Sequence, residues 1–455
     1  MKTGELSKLI VTAGRRRSLK ALCGKPGAKV YGLAGSSASM MLTALPREDS
    51  PLIVVGENLD DAGYIYFDLC RLAGEDAVAF LPSGYRRDIK YGQPDAPNQI
   101  LRTETLKRLA IGDISYLVTY PEALAETVAS KEELNAHTLL LSTARPVEMA
   151  QVRHWLIENG FNETDYVYEP GQFAIRGSIF DIFSYSREQP VRLDFFGDDI
   201  ESIRLFNVET QLSESKLDDV EITANMAEGS GKISLLDYIS PDSLIALRNE
   251  QLTVARIREI AEAGISAFTL LTEEGDKNAV DEIVDPSHFA ERLQSFRRIG
   301  FTAAKKPDEA RRSDPTMDFA CSPQGIFHKN FDLIGESFRK FQSDGYRILI
   351  LSDNPKQFER LHEIFAERKE NIEFEGVECT IHEGFVDHDT KICVFTDHQI
   401  FDRFHKYTLK SDRARSGKLA LSLRELGQIE PGDYIVHIDH GVGQFAGLLR
   451  TNING

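Results

Sequence analysis

The sequence predicts an α/β protein of several domains, and three observations predict it. Over the first 140 residues short apolar runs alternate with helix patterns, as in a parallel sheet with crossover helices. Residues 165–225 are dense in strands, because Ile, Val and Phe alternate there with polar side chains. A further strand–helix–strand unit follows a polar, proline-containing stretch at 303–318. A chain of 455 residues has room for about three or four domains.

Taken in order, the first sheet draws on Lys29-Val-Tyr-Gly-Leu, Leu52-Ile-Val-Val, Ala77-Val-Ala-Phe-Leu, Tyr116-Leu-Val-Thr and Thr138-Leu-Leu-Leu, each bounded by turn signals. Residues 145–160 read as a helix that leads into the strand-dense block. Within that block Arg176, Arg192 and Arg204 lie on strands among carboxylates, a surface better suited to a protein partner than to a small substrate. A second α/β piece begins near Ser234, and 303–318 reads as a linker. Arg347-Ile-Leu-Ile-Leu-Ser is a strand, and Asp353-Asn-Pro355 opens a helix with Phe358, Leu361, Ile364 and Phe365 as its buried stripe. Lys391-Ile-Cys-Val-Phe-Thr is a later strand. Residues 409–428 are charged and linker-like. The run from Pro431 to Leu448 has the glycines and short strands of a small β-barrel's opening. The chain stops at Gly455 before such a barrel closes, which would leave strand edges unpaired. The expectation is therefore a piece of a longer protein.

Composition narrows the function classes. Net charge is -18, which argues against a large DNA-coating surface, because phosphate binding needs clustered Lys and Arg. The exception is residues 1–30, where Lys2, Lys8, Arg15, Arg16, Arg17, Lys20, Lys25 and Lys29 stand against Glu5, an excess of 8 − 1 = +7. A solvated helix face and a nucleic-acid contact both account for it, and a transit peptide fits on composition alone. No apolar run reaches the roughly 18–20 residues of a membrane span. Cys23, Cys70, Cys321, Cys379 and Cys393 are scattered without a Cys-x-x-Cys pair, so buried thiols in a reducing cytoplasm are expected rather than disulfides or zinc.

Residues 29–44 occupy the place of a nucleotide-binding strand–loop–helix. A working phosphate loop reads G-x-x-x-x-G-K-[ST]. Here the loop is Gly32-Leu-Ala-Gly35-Ser36-Ser37-Ala38-Ser39: Gly32 and Ser39 match, while Ser37 replaces the second glycine and Ala38 the lysine. A methyl group cannot supply the charge that meets the β and γ phosphates. The backbone alone retains the means to cradle an anion. The strand at Leu244–Leu247 should end in an acidic pair for magnesium, but offers Arg248, Asn249 and Glu250. With both elements broken, no catalytic residue is assigned.

The stretch Glu169-Pro-Gly-Gln-Phe-Ala-Ile-Arg-Gly-Ser-Ile-Phe-Asp-Ile-Phe, followed by Arg192-Leu-Asp-Phe-Phe-Gly-Asp-Asp-Ile-Glu-Ser-Ile-Arg204, closely resembles the partner-binding domain shared by the excision-repair protein UvrB and the bacterial transcription-repair coupling factors. The run Asp433-Tyr-Ile-Val-His-Ile-Asp-His-Gly-Val-Gly-Gln-Phe is similar to the start of the coupling factors' RNA-polymerase-interacting domain. The likeness extends over essentially the whole chain, strongly at 165–211 and 429–448 and weakly at 1–140 and 230–410. It implies a UvrB-like degenerate phosphate-loop domain (1–144, completed by 231–318), an inserted strand-rich α+β domain for UvrA (145–230), a further α/β domain without a readable motif (319–412), a linker (413–428) and the start of a β-barrel (429–455).

The resemblance further implies that Arg176, Arg192 and Phe196 bind UvrA. It also implies that Asp433, Tyr434, His437, Asp439, His440, Gly441 and Gly443 belong to the surface for the RNA polymerase β subunit. Arginine forks recognise carboxylates bidentately, and an adjacent aromatic supplies buried area. The competing expectation is that the arginines pair with Asp194, Asp198, Asp199 or Glu201 in their own sheet. His437, Asp439 and His440 make no metal triad, because alternate strand residues point to opposite faces. UvrB's tyrosine-rich damage-probing hairpin is reduced here to Tyr85 and Tyr91, so DNA binding is expected to be weak. ATP and magnesium would serve only the translocase motor of a full-length relative, and no cofactor is expected for this stretch.

The leading expectation is thus a non-catalytic, cytoplasmic recruiter of UvrA to stalled RNA polymerase in transcription-coupled nucleotide excision repair. The alternative is an active UvrB-like, nucleotide-dependent damaged-DNA-binding protein. A metabolic α/β enzyme is a third class, but His137, His154, His362 and His405 form no recognisable catalytic set.

Overall fold

A computed structural model describes residues 3–47, 49–84, 96–187, 189–208, 210–226, 231–271, 283–307, 315–403, 405–409, 432, 434–437 and 441–444. Its framework is a seven-stranded parallel sheet in the order Thr316–Asp318, Ala28–Tyr31, Arg297–Phe301, Leu244–Leu247, Leu52–Val55, Tyr116–Thr119 and Val78–Phe80. Strands from beyond residue 240 lie between strands from the first 120, so two distant stretches of sequence build one sheet. Leu52–Val55, Leu244–Leu247 and Tyr116–Thr119 are buried along their whole length, which is why they read as unbroken apolar runs. Their side chains alternate between two cores: Leu52 and Val54 face one, Ile53 and Val55 the other.

Two expected elements land elsewhere. Thr316–Asp318, within the stretch read as a linker, is the edge strand of this sheet and pairs with Ala28–Tyr31. Thr138–Ser142 is a strand but does not join the parallel sheet; it pairs antiparallel with Asp219–Thr223.

The segment between them carries a six-stranded sheet, ordered Ser213–Leu217, Asp199–Phe206, Val191–Phe196, Ile179–Ile182, Gln172–Arg176 and Asn162–Glu163. All its pairs are antiparallel except the last. Alternation sets its two faces: Val191, Leu193 and Phe195 enter the core shared with Ile53 and Val55, while Arg192, Asp194 and Phe196 take the other side. Helix Met149–Glu158 adds Val152 and Leu156 to the shared core.

Residues 321–396 form a five-stranded sheet: Cys321–Pro323, Phe385–Asp387, Ile392–Thr396, Arg347–Ser352 and Glu375–Glu378. Asn330 caps helix Phe331–Ser343 by accepting from the amides of Asp332 and Leu333. On helix Lys356–Glu367, Leu361 and Phe365 are buried and Phe358 and Ile364 half-buried. The N-terminal helix Ala13–Leu22, expected as a basic face, spends one cation internally. Arg15 bonds the buried Asp387 and the exposed Asp389 and lies 4.4 Å over the Phe319 ring. Arg16, Arg17, Lys20 and Lys25 remain exposed.

Residues 1–409 form one compact unit and 410–455 a second. In the second, Tyr434–His437 and Gly441–Gln444 make an antiparallel hairpin. No helix among the described residues is long and apolar enough to cross a membrane.

Candidate docking site and the loop at residues 32–39

The outer face of the six-stranded sheet brings Arg176 and Arg192 together on one carboxylate. Strand pairing sets Arg192 opposite Asp181 and Asp181 opposite Ala174. Asp181 has no solvent exposure. Arg192 grips it with a fork, Nε to Oδ1 at 2.7 Å and Nη2 to Oδ2 at 2.8 Å, and donates Nη1 to the Gln211 carbonyl at 3.2 Å. Its guanidinium also lies 4.5 Å over the Phe206 ring, and its pKa is pushed up chiefly by the bond to Asp181. Arg176 reaches the same carboxylate through Nη2, donates Nη1 to the Asp165 carbonyl at 2.8 Å, and sits 4.8 Å over Tyr166.

The arginines are therefore ion-paired inside their own domain, but not with Asp194, Asp198, Asp199 or Glu201. Asp194 instead accepts from the Ser178 hydroxyl at 2.9 Å. The side chains of Arg176 and Arg192 stay 34% and 19% exposed, so the fixed guanidinium groups still reach the surface. Arg204 is exposed opposite Arg192. Phe196 is 79% exposed at the end of its strand, and Tyr166, Tyr168 and Leu212 are also largely exposed. Asp181 was missed in the sequence. Its only signal was an acid inside the apolar run Ile179–Ile182, and its meaning depends on register.

The stretch 32–39, read as a degenerate phosphate loop, packs against segment 382–384. Gly32 (φ +70°) and Gly35 (φ +49°) adopt the left-handed conformation that side chains avoid, and each is closely approached by backbone. A Cβ on Gly35 would stand 2.6 Å from the Gly384 carbonyl oxygen. The Ser36 amide donates to the Glu383 carbonyl at 3.1 Å, and the Glu383 amide donates back to Ser36 Oγ at 3.0 Å. Ser37 Oγ accepts from the Ala34 amide, and Ser39 Oγ donates to Asp68 at 2.9 Å. Ala38, in the lysine's place, is 1% exposed within the core. The Ser36 amide, one donor of the expected anion cradle, is thus committed to a carbonyl of the chain's own segment 382–384.

The second broken element is also absorbed into structure. Arg248 Nη2 is 3.2 Å from Asp61 and its guanidinium lies 4.9 Å over Phe301. Glu250 pairs with Arg298, and Asn249 accepts from the Leu252 amide. The loop itself lines a cavity of about 300 Å³, with Gly35, Ser36 and Ser39 on one side and Asp61, Tyr64, Asp68, Arg248 and His382 among the rest of its wall. Burial raises the Asp68 carboxyl to about 6, although Ser36, the His382 amide and Ser39 bond to it. His382 stacks on Tyr64 with centroids 3.4 Å apart, and His405 stacks on His398 at 4.5 Å. Burial, then the neighbouring imidazoles, lowers His382 and His405 to about 4. Sequence reading found no role for His405 and did not single out the other two.

In the C-terminal hairpin Tyr434 pairs with Gln444 and is 79% exposed; Gly443 pairs with Ile435, and His437 pairs with Gly441. Asp433, Asp439 and His440 lie outside the described residues, as do Tyr85 and Tyr91. Among the described residues no cluster of His, Cys, Asp and Glu is arranged to hold a metal ion.

Comparison with known proteins bears on both surfaces. Residues 139–227 match the UvrB interaction domain, and residues 429–455 match the CarD-like/TRCF RID domain. The chain is similar to the transcription-repair-coupling factor of Bacillus subtilis (strain 168), 23% identical over 504 residues, covering 93% of this chain and 42% of the relative. It is likewise similar to that of Staphylococcus aureus (strain bovine RF122 / ET3-1), 22% identical over 522 residues, covering 98% and 44%. The chain thus spans less than half the length of these relatives and corresponds to their N-terminal part.

Proposed function

We propose that this chain, similar along nearly its whole length to the N-terminal part of transcription-repair-coupling factors, acts as a recruiting platform that binds UvrA through the outer face of its six-stranded sheet. One observation carries the reading. On the domain that matches the UvrB interaction domain, an exposed Phe196 shares a sheet face with two partly exposed guanidinium groups. Tyr166, Tyr168 and Leu212 of the same domain are also exposed, and arginine and aromatic side chains are the usual anchors of protein interfaces. The hairpin with the exposed Tyr434 is the proposed contact for the RNA polymerase β subunit.

We assign this chain no ATP hydrolysis, because a buried Ala38 stands where a phosphate loop needs lysine and the Ser36 amide already donates to the Glu383 carbonyl. ATP-dependent DNA translocation, implied for a full-length relative, is assigned to no residue here. The alternative, a nucleotide-dependent damaged-DNA-binding protein, would need an open phosphate loop; segment 382–384 argues against it. The test is a titration of the chain against purified UvrA, with Phe196→Ala as the probe. Truncating an anchor typically costs about 2 kcal/mol or more, so Kd should rise roughly thirtyfold with the melt unchanged. Equal affinity would move the interface elsewhere.

A further inference from the structure

Asp181 is a carboxylate without solvent exposure that has two arginines as partners, and both belong to the proposed docking face. Two guanidinium groups against one carboxylate leave 2 − 1 = +1 at this spot. An isolated Arg side chain samples many rotamers, and ordering it on binding costs free energy. Here the ordering is done in advance. Asp181 fixes Arg192 by two parallel bonds, Phe206 supports it from the side, and the Gln211 carbonyl takes a third nitrogen. Arg176 is fixed by the same carboxylate, by the Asp165 carbonyl and by Tyr166.

Resting on the reading of this face as the UvrA surface, we propose that Asp181 is its positioning residue: it touches no partner, holds both guanidinium groups in the geometry the partner meets, and so sets the affinity. The complementary patch on the partner carries acidic or carbonyl acceptors, matching the residual positive charge and the N–H groups at the rim of the pair.

The experiment is a UvrA titration of the full chain and its variants, each checked for folded fraction by circular dichroism. Asp181→Asn should weaken binding about tenfold while Phe196→Ala weakens it independently. In an Arg176→Gln, Arg192→Gln background, Asp181→Asn should cause no further loss, because its effect runs through the arginines. Unchanged or tighter binding by Asp181→Asn, with Phe196→Ala still weakening, overturns the positioning role and leaves the docking reading standing. An equal loss from Asp181→Asn in the arginine-free background overturns it too, since a general structural defect would behave that way. No loss from Phe196→Ala, from the double arginine variant or from Asp181→Asn removes the docking reading, and with it the positioning role. If Asp181→Asn does not fold, Arg176→Gln is compared with Arg176→Gln, Asp181→Asn, which leaves one cation instead of two. A further loss supports positioning, and equal affinity refutes it.

Discussion

Replacing Ala38 by lysine restores the residue a phosphate loop requires, and the structure predicts that it damages the protein instead of reviving it. Ala38 is 1% exposed and packs in the core that joins the parallel sheet to the 321–396 sheet. A lysine there extends the side chain by three carbons and an ammonium into a filled space, at about 1–3 kcal/mol for overpacking. It also buries an ammonium with no carboxylate built to receive it, at about 3–5 kcal/mol. The buried Asp68 carboxylate is already bonded by Ser39 and the His382 amide. The combined cost is at least about 3 kcal/mol even after local relaxation. The penalty has a pH signature. Burial would depress the lysine's pKa below about 10.4, so the loss is complete at neutral pH and shrinks as pH rises toward that value. Urea denaturation at pH 7 and pH 9.5 measures both effects, and calorimetric titration with ATP and magnesium tests binding. A lysine variant as stable as the parent that also binds ATP would refute the closed-loop argument.

Two other perturbations probe the same joint. Gly35→Ala combines a left-handed backbone, costing about 1–2 kcal/mol, with a Cβ 2.6 Å from the Gly384 oxygen; its urea midpoint should drop, while Gly24→Ala, with nothing within 4 Å, should leave it within error. Because the folded pKa of His382 is about 4 against an ordinary 6.5, the unfolded chain takes up a proton as pH falls from 6.5 to 4 and stability is lost in that window, whereas Asp68, raised to about 6, gains stability as pH falls from 6 toward 3.8. Replacing His382 by Gln should therefore flatten the parent's loss between pH 6.5 and 4 by about 1–2 kcal/mol, allowing for its partial exposure, and identical pH profiles would refute the assignment.

Sequence made the buried parallel strands legible, because Leu52–Val55 and Leu244–Leu247 have no polar interruption. It did not reveal Thr316–Asp318, since three residues at the end of a polar stretch carry no period; the strand exists only because Ala28–Tyr31 offers an edge. Thr138–Ser142 was visible as a strand but not its partner, because an apolar run looks the same in either sheet. Of the candidate docking face, the arginines and Phe196 were expected from the sequence, and Asp181 was not. A lone acid among Ile and Phe becomes a shared counter-ion only when pairing places it opposite Arg192. The plug at Glu383 lies some 350 residues from the loop it fills, beyond any local signal.

The closed loop and the docking face are mechanically related, and that relation yields a last prediction. Phe195 and Leu193 behind the docking face share a core with Ile53, Val55 and Ile245 of the parallel sheet, and the phosphate loop on that sheet is bonded to residues 382–384. In a nucleotide-driven protein this chain of contacts would carry a ligand-dependent change from loop to face. Such a change requires a ligand that binds the two states differently. Here the Ser36 amide already donates to the Glu383 carbonyl, and Ala38 offers no charge to draw a phosphate in its place. UvrA affinity should therefore be the same, within twofold, in buffer, in ATP with magnesium, and in ADP. A shift of tenfold or more with nucleotide, on the chain alone with UvrA's own nucleotide sites held saturated, would mean that the loop still opens and that the platform is switched rather than fixed.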